Sequence, residues 1–212
     1  MLVRINYYDE KRNEIKCLIL EVLNDLIEVT VHFEGYFKDK SNDVKDMILK
    51  NESFIDKNEK RIEKYILDII SLEQLNRGEI KWLFSMSRIM RELERVGDQL
   101  TNIITISDVV DSKVLKPTIQ SFLYYEHDMM KWLMEGIQND NSERLQNVIS
   151  HDKFVNNLNK KTFQHLVKLV NQDEHINESE LKMVIISRFL ERIGDHIVNV
   201  AKIYIEIIED NL

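Results

Sequence analysis

Two segments of the chain carry the same carboxylate and amide side chains at a spacing of four residues. They are Glu94, Asp98 and Asn102 in the first segment and Glu191, Asp195 and Asn199 in the second. On an α-helix, residues four apart lie on one face, so each set forms a stripe of oxygen atoms. Hard divalent cations prefer such oxygen ligands, provided that a neighbouring helix supplies more of them. The spacing therefore indicates one candidate metal site in each segment.

A second acidic segment precedes each of these stripes. Glu52 and Asp56 have the four-residue spacing, which Glu59 and Glu63 extend, whereas the later segment has Asp152 and then Asn156. The first half of the chain thus offers four carboxylates and the second half three, with an amide in the remaining place. We therefore expect two metal sites of unequal quality. The predicted ligands are Glu52, Asp56, Glu94 and Asp98 in the first half and Asp152, Glu191 and Asp195 in the second, with Asn102, Asn156, Asn199 and His196 as additional candidates.

The carboxylate stripes have a purely structural interpretation as well. Arg91, Arg95, Arg188 and Arg192 each precede a stripe carboxylate by three residues. At that spacing on a helix, opposite charges pair on a solvated surface. From the spacing alone, a polar flank held by these ion pairs remains an alternative to a metal site.

The two stripes belong to an internal repeat. Residues 89–103 read IMRELERVGDQLTNI and residues 186–200 read ISRFLERIGDHIVNV, 97 positions later and without a gap. Both copies keep a glycine inside the helical pattern, at Gly97 and Gly194, although glycine costs about 1 kcal/mol there relative to alanine. The repeat predicts a duplicated structural unit whose acidic helix closely approaches a neighbour or a ligand.

Long helices are predicted to position these residues. The chain has only five glycines and one proline, and a strand-rich fold of this length would need more of these turn residues. Apolar residues at helical spacing, separated by short polar breaks, predict six long antiparallel helices. We interpret the chain as all-α, with two tandem three-helix bundles at residues 1–108 and 109–212. Three helix starts have local signals: Pro117 in a first turn, Ser142 as an N-cap, and Asn177 with Glu180 as a capping box.

Composition narrows the class of protein. The net charge is -8 and the hydrophobic fraction is 43%, which suits a globular protein and disfavours nucleic-acid binding. The single cysteine, Cys17, excludes an intrachain disulfide, and we expect it to be buried. With no signal-peptide pattern and no long apolar run, we predict a cytoplasmic protein.

Catalytic motifs are missing from the sequence. It contains no glycine-rich phosphate loop, no nucleophile elbow and no HExxH motif, and no Glu-x-x-His pairs of the di-iron type. We therefore predict a protein without enzymatic activity. A carboxylate-bridged metallohydrolase is the least favoured alternative, because no histidines accompany the carboxylates at useful spacing.

The segments LERVGDQLTN and LERIGDHIVN resemble the signature of the PhoU family of phosphate-uptake regulators. The resemblance extends over nearly the whole chain and implies two tandem three-helix bundles. It implies a divalent metal or an iron cluster (Fe, Zn, Mn or Mg) on the paired acidic helices, although Asn156 stands where a carboxylate is expected. It also implies a homodimer that represses the phosphate-starvation response by contacting a phosphate transporter and a sensor histidine kinase. A metal-storage or metal-sensing helical protein is the alternative function.

Overall fold

A computed structural model describes residues 7–39, 42–107, 112–171 and 178–210 of the protein. These residues form six long helices and no strand, which confirms the predicted all-α class. The helices are α1 (Tyr7–Asp39), α2 (Asn42–Leu72), α3 (Arg77–Ser107), α4 (Ser112–Gln138), α5 (Ser142–Asn171) and α6 (Glu178–Asp210). In this part of the chain, no helix is long and apolar enough to cross a lipid bilayer.

The helices pack as the predicted pair of three-helix bundles, but the two bundles share one hydrophobic core. Helices α1, α2 and α3 contact one another, as do α4, α5 and α6. The most extensive contact joins α3 to α6, and α1 also packs against α4. Helices α2 and α5 lie outside this central group of four. Each of these outer helices therefore packs one face on the core. The side of α2 lies next to the acidic helix α3, and the side of α5 lies next to the acidic helix α6.

Helix α2 shows how the sequence orients the candidate ligands. Its buried isoleucines recur every seven residues, at Ile48, Ile55, Ile62 and Ile69. A seven-residue repeat keeps one seam of a helix against its neighbours. Because the seam includes Ile55, the adjacent Asp56 is directed to the flank, where it is exposed.

Two buried asparagines interrupt this apolar seam. Asn51 and Asn58 follow the same seven-residue repeat as the isoleucines. The side-chain amide of Asn51 donates a hydrogen bond to Asp25 of α1. Since a buried amide needs such a partner, this bond favours one register of α2 against α1.

Asparagine caps set the starts of α3 and α5. At α3, the Glu79 amide donates to Asn76 Oδ1 at 3.0 Å, and the Asn76 amide donates to Glu79 Oε2 at 2.7 Å. This reciprocal pair is a capping box, with Asn76 as the N-cap of α3. At α5, the Arg144 amide donates to Asn141 Oδ1 at 3.1 Å. The N-cap is therefore Asn141 rather than Ser142.

Other sequence predictions have mixed outcomes. Pro117 lies in the second turn of α4, because the helix begins at Ser112, so its predicted place in the first turn is wrong. Cys17 is exposed rather than buried, since the flanking Ile15 and Leu18 face the core. Asn177 and the boundary between residues 108 and 109 lie outside the described residues.

The turn between α4 and α5 is closely packed. Asp140 adopts a left-handed backbone with φ 49°, and the Asn141 amide donates to the Gly136 carbonyl at 2.9 Å. The Tyr204 hydroxyl lies 2.6 Å from Asp140 Oδ1. This hydrogen bond ties the turn to α6, because Tyr204 is a buried residue of that helix.

Gly136→Ala is expected to destabilise the protein by about 1–2 kcal/mol, although alanine is the better helix former. A Cβ atom at Gly136 would lie 2.5 Å from Cδ2 and 2.7 Å from Cγ of the buried Leu145. Chemical denaturation measures the change. Gly97→Ala is the comparison, because its Cβ would meet only the terminal Cδ1 of Ile55. Equal effects of the two substitutions would contradict this account of the turn.

Candidate metal centre

The first candidate site lies where α2 and α3 approach each other. Gly97 makes the approach possible, since a Cβ atom there would lie 2.8 Å from Cδ1 of Ile55. Beside this contact, the Thr101 hydroxyl donates to Glu52 Oε2 at 3.3 Å. Glu94 and Asp98 of α3 are half-buried. The close contact thus brings the α2 and α3 stripes together on one flank of the bundle.

The carboxylates of this flank repel one another. Burial raises the pKa of Glu94, and the charges of Asp98, Glu59 and Asp56 raise it further, against the opposing charge of Arg95. Burial and Asp56 likewise raise the pKa of Asp98. A bound cation would relieve this repulsion, because it supplies positive charge to partly desolvated carboxylates. The four predicted ligands of the first half therefore suit a hard cation by charge and by donor type.

The second candidate site, between α5 and α6, is built around Asp152. Its Oδ1 atom is buried without a hydrogen-bond partner among the described residues. A Cβ atom at Gly194 would lie 3.2 Å from this oxygen, so the glycine leaves it room. Burial, and then the charge of Asp195, raise the pKa of Asp152. One carboxylate oxygen thus faces a space with no donor in it.

Other oxygens of the second site already have partners. The Asn156 amide donates to Asp152 Oδ2 at 2.6 Å. Arg188 Nη1 lies 2.5 Å from Glu191 Oε2. A cation would compete with these contacts, and Asn156 brings no negative charge. Two carboxylate oxygens of the second half are thus already paired, and the predicted inequality of the two sites stays a prediction.

The stripes do not form a preassembled site. In the residues that the structure describes, no group of three or more His, Cys, Asp or Glu side chains is arranged to hold a metal ion. The carboxylates line facing helices instead of converging on one point. Binding would therefore require side-chain rotation on both helices, which leaves the predicted ligand set a prediction.

The predicted arginine pairs are only partly formed. Of the four predicted pairs, the described residues contain Arg188 with Glu191. Arg95 instead lies 3.3 Å from Glu92 on the other side of α3. Among the described residues, the carboxylates of the first half are thus not neutralised by the arginine pairs that the alternative to a metal site requires.

Three of the additional candidate metal ligands are exposed or form contacts with another residue. Asn102 is exposed. His196 Nδ1 lies 2.8 Å from Glu92 Oε2, and the Asn199 amide donates to the same oxygen at 3.0 Å. These contacts join α6 to α3 across the two halves of the chain. Sequence reasoning did not identify Glu92, because Phe189 occupies its place in the repeat and the motif therefore gives no signal.

Comparisons with known proteins agree with the duplicated architecture. The family model described as "PhoU domain" matches residues 18–107 and 123–204. A "Phosphate-specific transport system accessory protein PhoU homolog 1" from Methanothermobacter thermautotrophicus is 23% identical over 161 residues, covering 74% of each chain. A PhoU homolog from Borreliella burgdorferi is 22% identical over 199 residues, covering 90% of this chain and 86% of the relative.

A solved structure shares the fold. The crystal structure of PhoU from Pseudomonas aeruginosa superposes with a TM-score of 0.76 and covers 96% of both chains, at 17% sequence identity. The two family matches cover both acidic repeats and most of the chain. This chain belongs to the PhoU family.

Proposed function

We propose that this protein regulates phosphate uptake and the phosphate-starvation response without catalysing a reaction. It acts in the cytoplasm, as a homodimer, through contacts with a phosphate transporter and a sensor histidine kinase. The observation that carries the proposal is the pair of PhoU-domain matches, one on each half of the chain. The names of the relatives, accessory proteins of a phosphate-specific transport system, support it.

The regulatory role is tested by deleting the gene in its own host and following a phosphate-responsive reporter. Loss of the protein is expected to leave the starvation response active in phosphate-rich medium, and the wild-type gene to restore repression. Affinity purification from the same cells is expected to recover a phosphate transporter or a sensor kinase. An unchanged reporter together with the recovery of neither partner would contradict the proposal.

We further propose that a divalent metal or an iron cluster (Fe, Zn, Mn or Mg) binds between α2 and α3. The supporting observations are the mutual repulsion of Glu94, Asp98 and Asp56 and the absence of a neutralising arginine pair at Asp98 among the described residues. The weaker site between α5 and α6 uses Asp152, Glu191 and Asp195. Carboxylate oxygens are suitable ligands for such a cation, and the close contact of Gly97 with Ile55 supports a site shared by α2 and α3.

Asp98→Asn is expected to lower metal affinity about tenfold or more, and Asp195→Asn to have a smaller effect. Elemental analysis after reconstitution with each metal measures both. Asp46→Asn, on an exposed position of α2, is the control and should bind metal like the wild type. Metal-free Asp98→Asn should be at least as stable as the wild type, because it removes a carboxylate whose raised pKa reflects burial and repulsion. Equal metal content in all four proteins would show that the stripes are structural.

The metal-storage or metal-sensing alternative makes a different prediction for the same variant. If the acidic stripe is the function, Asp98→Asn loses metal but leaves the phosphate-responsive reporter unchanged in every medium. If metal supports regulation, the reporter changes together with the metal content. The reporter assay on Asp98→Asn therefore separates the two functions.

A further inference from the structure

A surface groove between α5 and α6 lies beside the weaker carboxylate cluster. Its volume is about 600 Å³, within the range of small-molecule pockets. We name it the α5–α6 groove, with a polar end at Asn156 and Arg192 and an apolar end at Phe163 and Ile185. Seven residues of helix separate Asn156 from Phe163, which corresponds to about 10 Å.

The polar end of the groove carries positive charge. Lys160, Arg188 and Arg192 line the groove between this end and its middle, together with two asparagine amides, and no acidic side chain lines the groove in the described part of the chain. Arg188 pairs with Glu191 of its own helix. Lys160 and Arg192 form no ion pair with any described carboxylate. This end therefore presents two free cations on a protein whose net charge is -8.

The apolar end exposes large side chains to solvent. Phe163 is 56% exposed and Ile185 is 45% exposed. Val184 and Phe189 also line the groove, and Phe189 lies between Ile185 and Arg192 along α6. Adjacent exposed apolar side chains commonly mark a binding surface. The groove thus combines a cationic end and an apolar end within about two helical turns.

The corresponding surface of the first half has the opposite character. The Gly97–Ile55 and Gly194–Val155 contacts establish which positions of the two halves correspond. By that correspondence, four acidic residues of the first half are replaced in the α5–α6 groove, while the two arginines are kept. The replacements are Asp56 by Asn156, Glu59 by Asn159, Glu63 by Phe163 and Glu92 by Phe189. The second half lacks these four negative charges and has two aromatic rings among the replacing residues.

We propose that the α5–α6 groove binds a free amphipathic anion, a molecule with a carboxylate or phosphate head and an apolar chain. Arg192 and Lys160 bind the head, and Phe163 and Ile185 contact the chain. The charge matches this class of ligand, because an uncharged amphiphile would leave the cations without a partner. The size matches as well, since a stable helix from a partner protein would extend beyond a groove of about 10 Å.

Titration calorimetry of the full chain with decanoate, kept monomeric, tests the proposal. The expected dissociation constant is on the order of 100 µM. The double variant Lys160→Gln/Arg192→Gln is expected to weaken binding about tenfold or more, because it removes both charged donors. The matched control, Lys60→Gln/Arg95→Gln, changes the corresponding positions of the first half and should bind decanoate like the wild type. Phe163→Ser should weaken decanoate binding without changing the charge.

Several outcomes would overturn the proposal. Decanol binding as tightly as decanoate would show that the cations do not select the head. Equal losses in the two double variants would show a general charge effect. Association with phosphatidylglycerol vesicles, or with an acidic amphipathic peptide, in the absence of decanoate binding would assign the groove to a membrane or to a protein partner instead.

Discussion

Glu126→Met is expected to stabilise the protein by about 2 kcal/mol at neutral pH. Glu126 is fully buried in α4, and neither carboxylate oxygen has a hydrogen-bond partner among the described residues. It lies on the same helical face as Phe122, Met129 and Met130, all of which are fully buried. A methionine of similar length would fill this place without a polar group to desolvate. Chemical denaturation of both proteins measures the difference.

The stability gained by Glu126→Met should depend on pH. Burial raises the pKa of Glu126 well above its ordinary value of 4.5. The folded protein therefore binds the proton more tightly than the unfolded chain, so wild-type stability falls as pH rises above about 4.5 towards the raised pKa. The variant lacks this loss, so the difference between the two proteins should grow over that interval.

Two further substitutions separate charge from polarity at this position. Glu126→Gln should remove the pH dependence but recover less stability, because a buried amide also lacks partners. Glu135→Met, at an exposed glutamate of the same helix that pairs with Arg144, should change stability by less than about 0.5 kcal/mol. If Glu126→Met destabilises the protein at neutral pH, the carboxylate has a stabilising role that burial alone does not explain.

Glu92→Ala is expected to destabilise the protein by about 2 kcal/mol, because it removes the acceptor that joins α3 to α6. Glu92 Oε2 accepts from Asn199 and lies within hydrogen-bonding distance of His196. Burial alone would raise the pKa of Glu92, but the hydrogen bonds from Asn199 and His196 lower it. The stabilisation is therefore present above pH about 4.5 and is lost as pH falls through the lower folded pKa. Denaturation at several pH values measures both effects.

Glu94→Ala is the matched control for Glu92→Ala, two residues further along α3. The pKa of Glu94 is raised by burial and neighbouring carboxylates, so its charge opposes folding in the metal-free protein. Its removal should leave stability unchanged or slightly higher, the reverse of the effect at Glu92. If both substitutions destabilise equally, the contact between the halves contributes no more than ordinary surface packing.

The fold could be predicted from the sequence because its signals are local and repeated. The seven-residue spacing of Ile48, Ile55, Ile62 and Ile69 identifies α2 without reference to any other helix. The repeat at residues 89–103 and 186–200 then predicts a second copy of the same unit. The burial of Glu126 can also be predicted from the sequence, since Phe122, Met129 and Met130 place it on the apolar stripe of α4.

The contacts between the halves could not be predicted in the same way. Glu92 is not shared by the repeat, which has Phe189 at that position, and its partners His196 and Asn199 are more than a hundred residues away. Their contact depends on how α3 crosses α6, which helical periodicity does not determine. The cap at Asn141 was missed for a different reason, because Asn141 and Ser142 are both good N-caps and only backbone geometry distinguishes them.

Corresponding helices of the two halves pack on each other, α3 on α6 and α1 on α4, as the subunits of a symmetric homodimer would. In a true homodimer, each substitution appears on both subunits, so the two faces must keep the same chemistry. A single chain removes that constraint. One copy can keep an acidic flank at Asp56 and Glu59 while the other has Asn156 and Asn159 beside a basic groove. The duplication thereby allows one scaffold to present an acidic surface on one outer flank and a basic surface on the other.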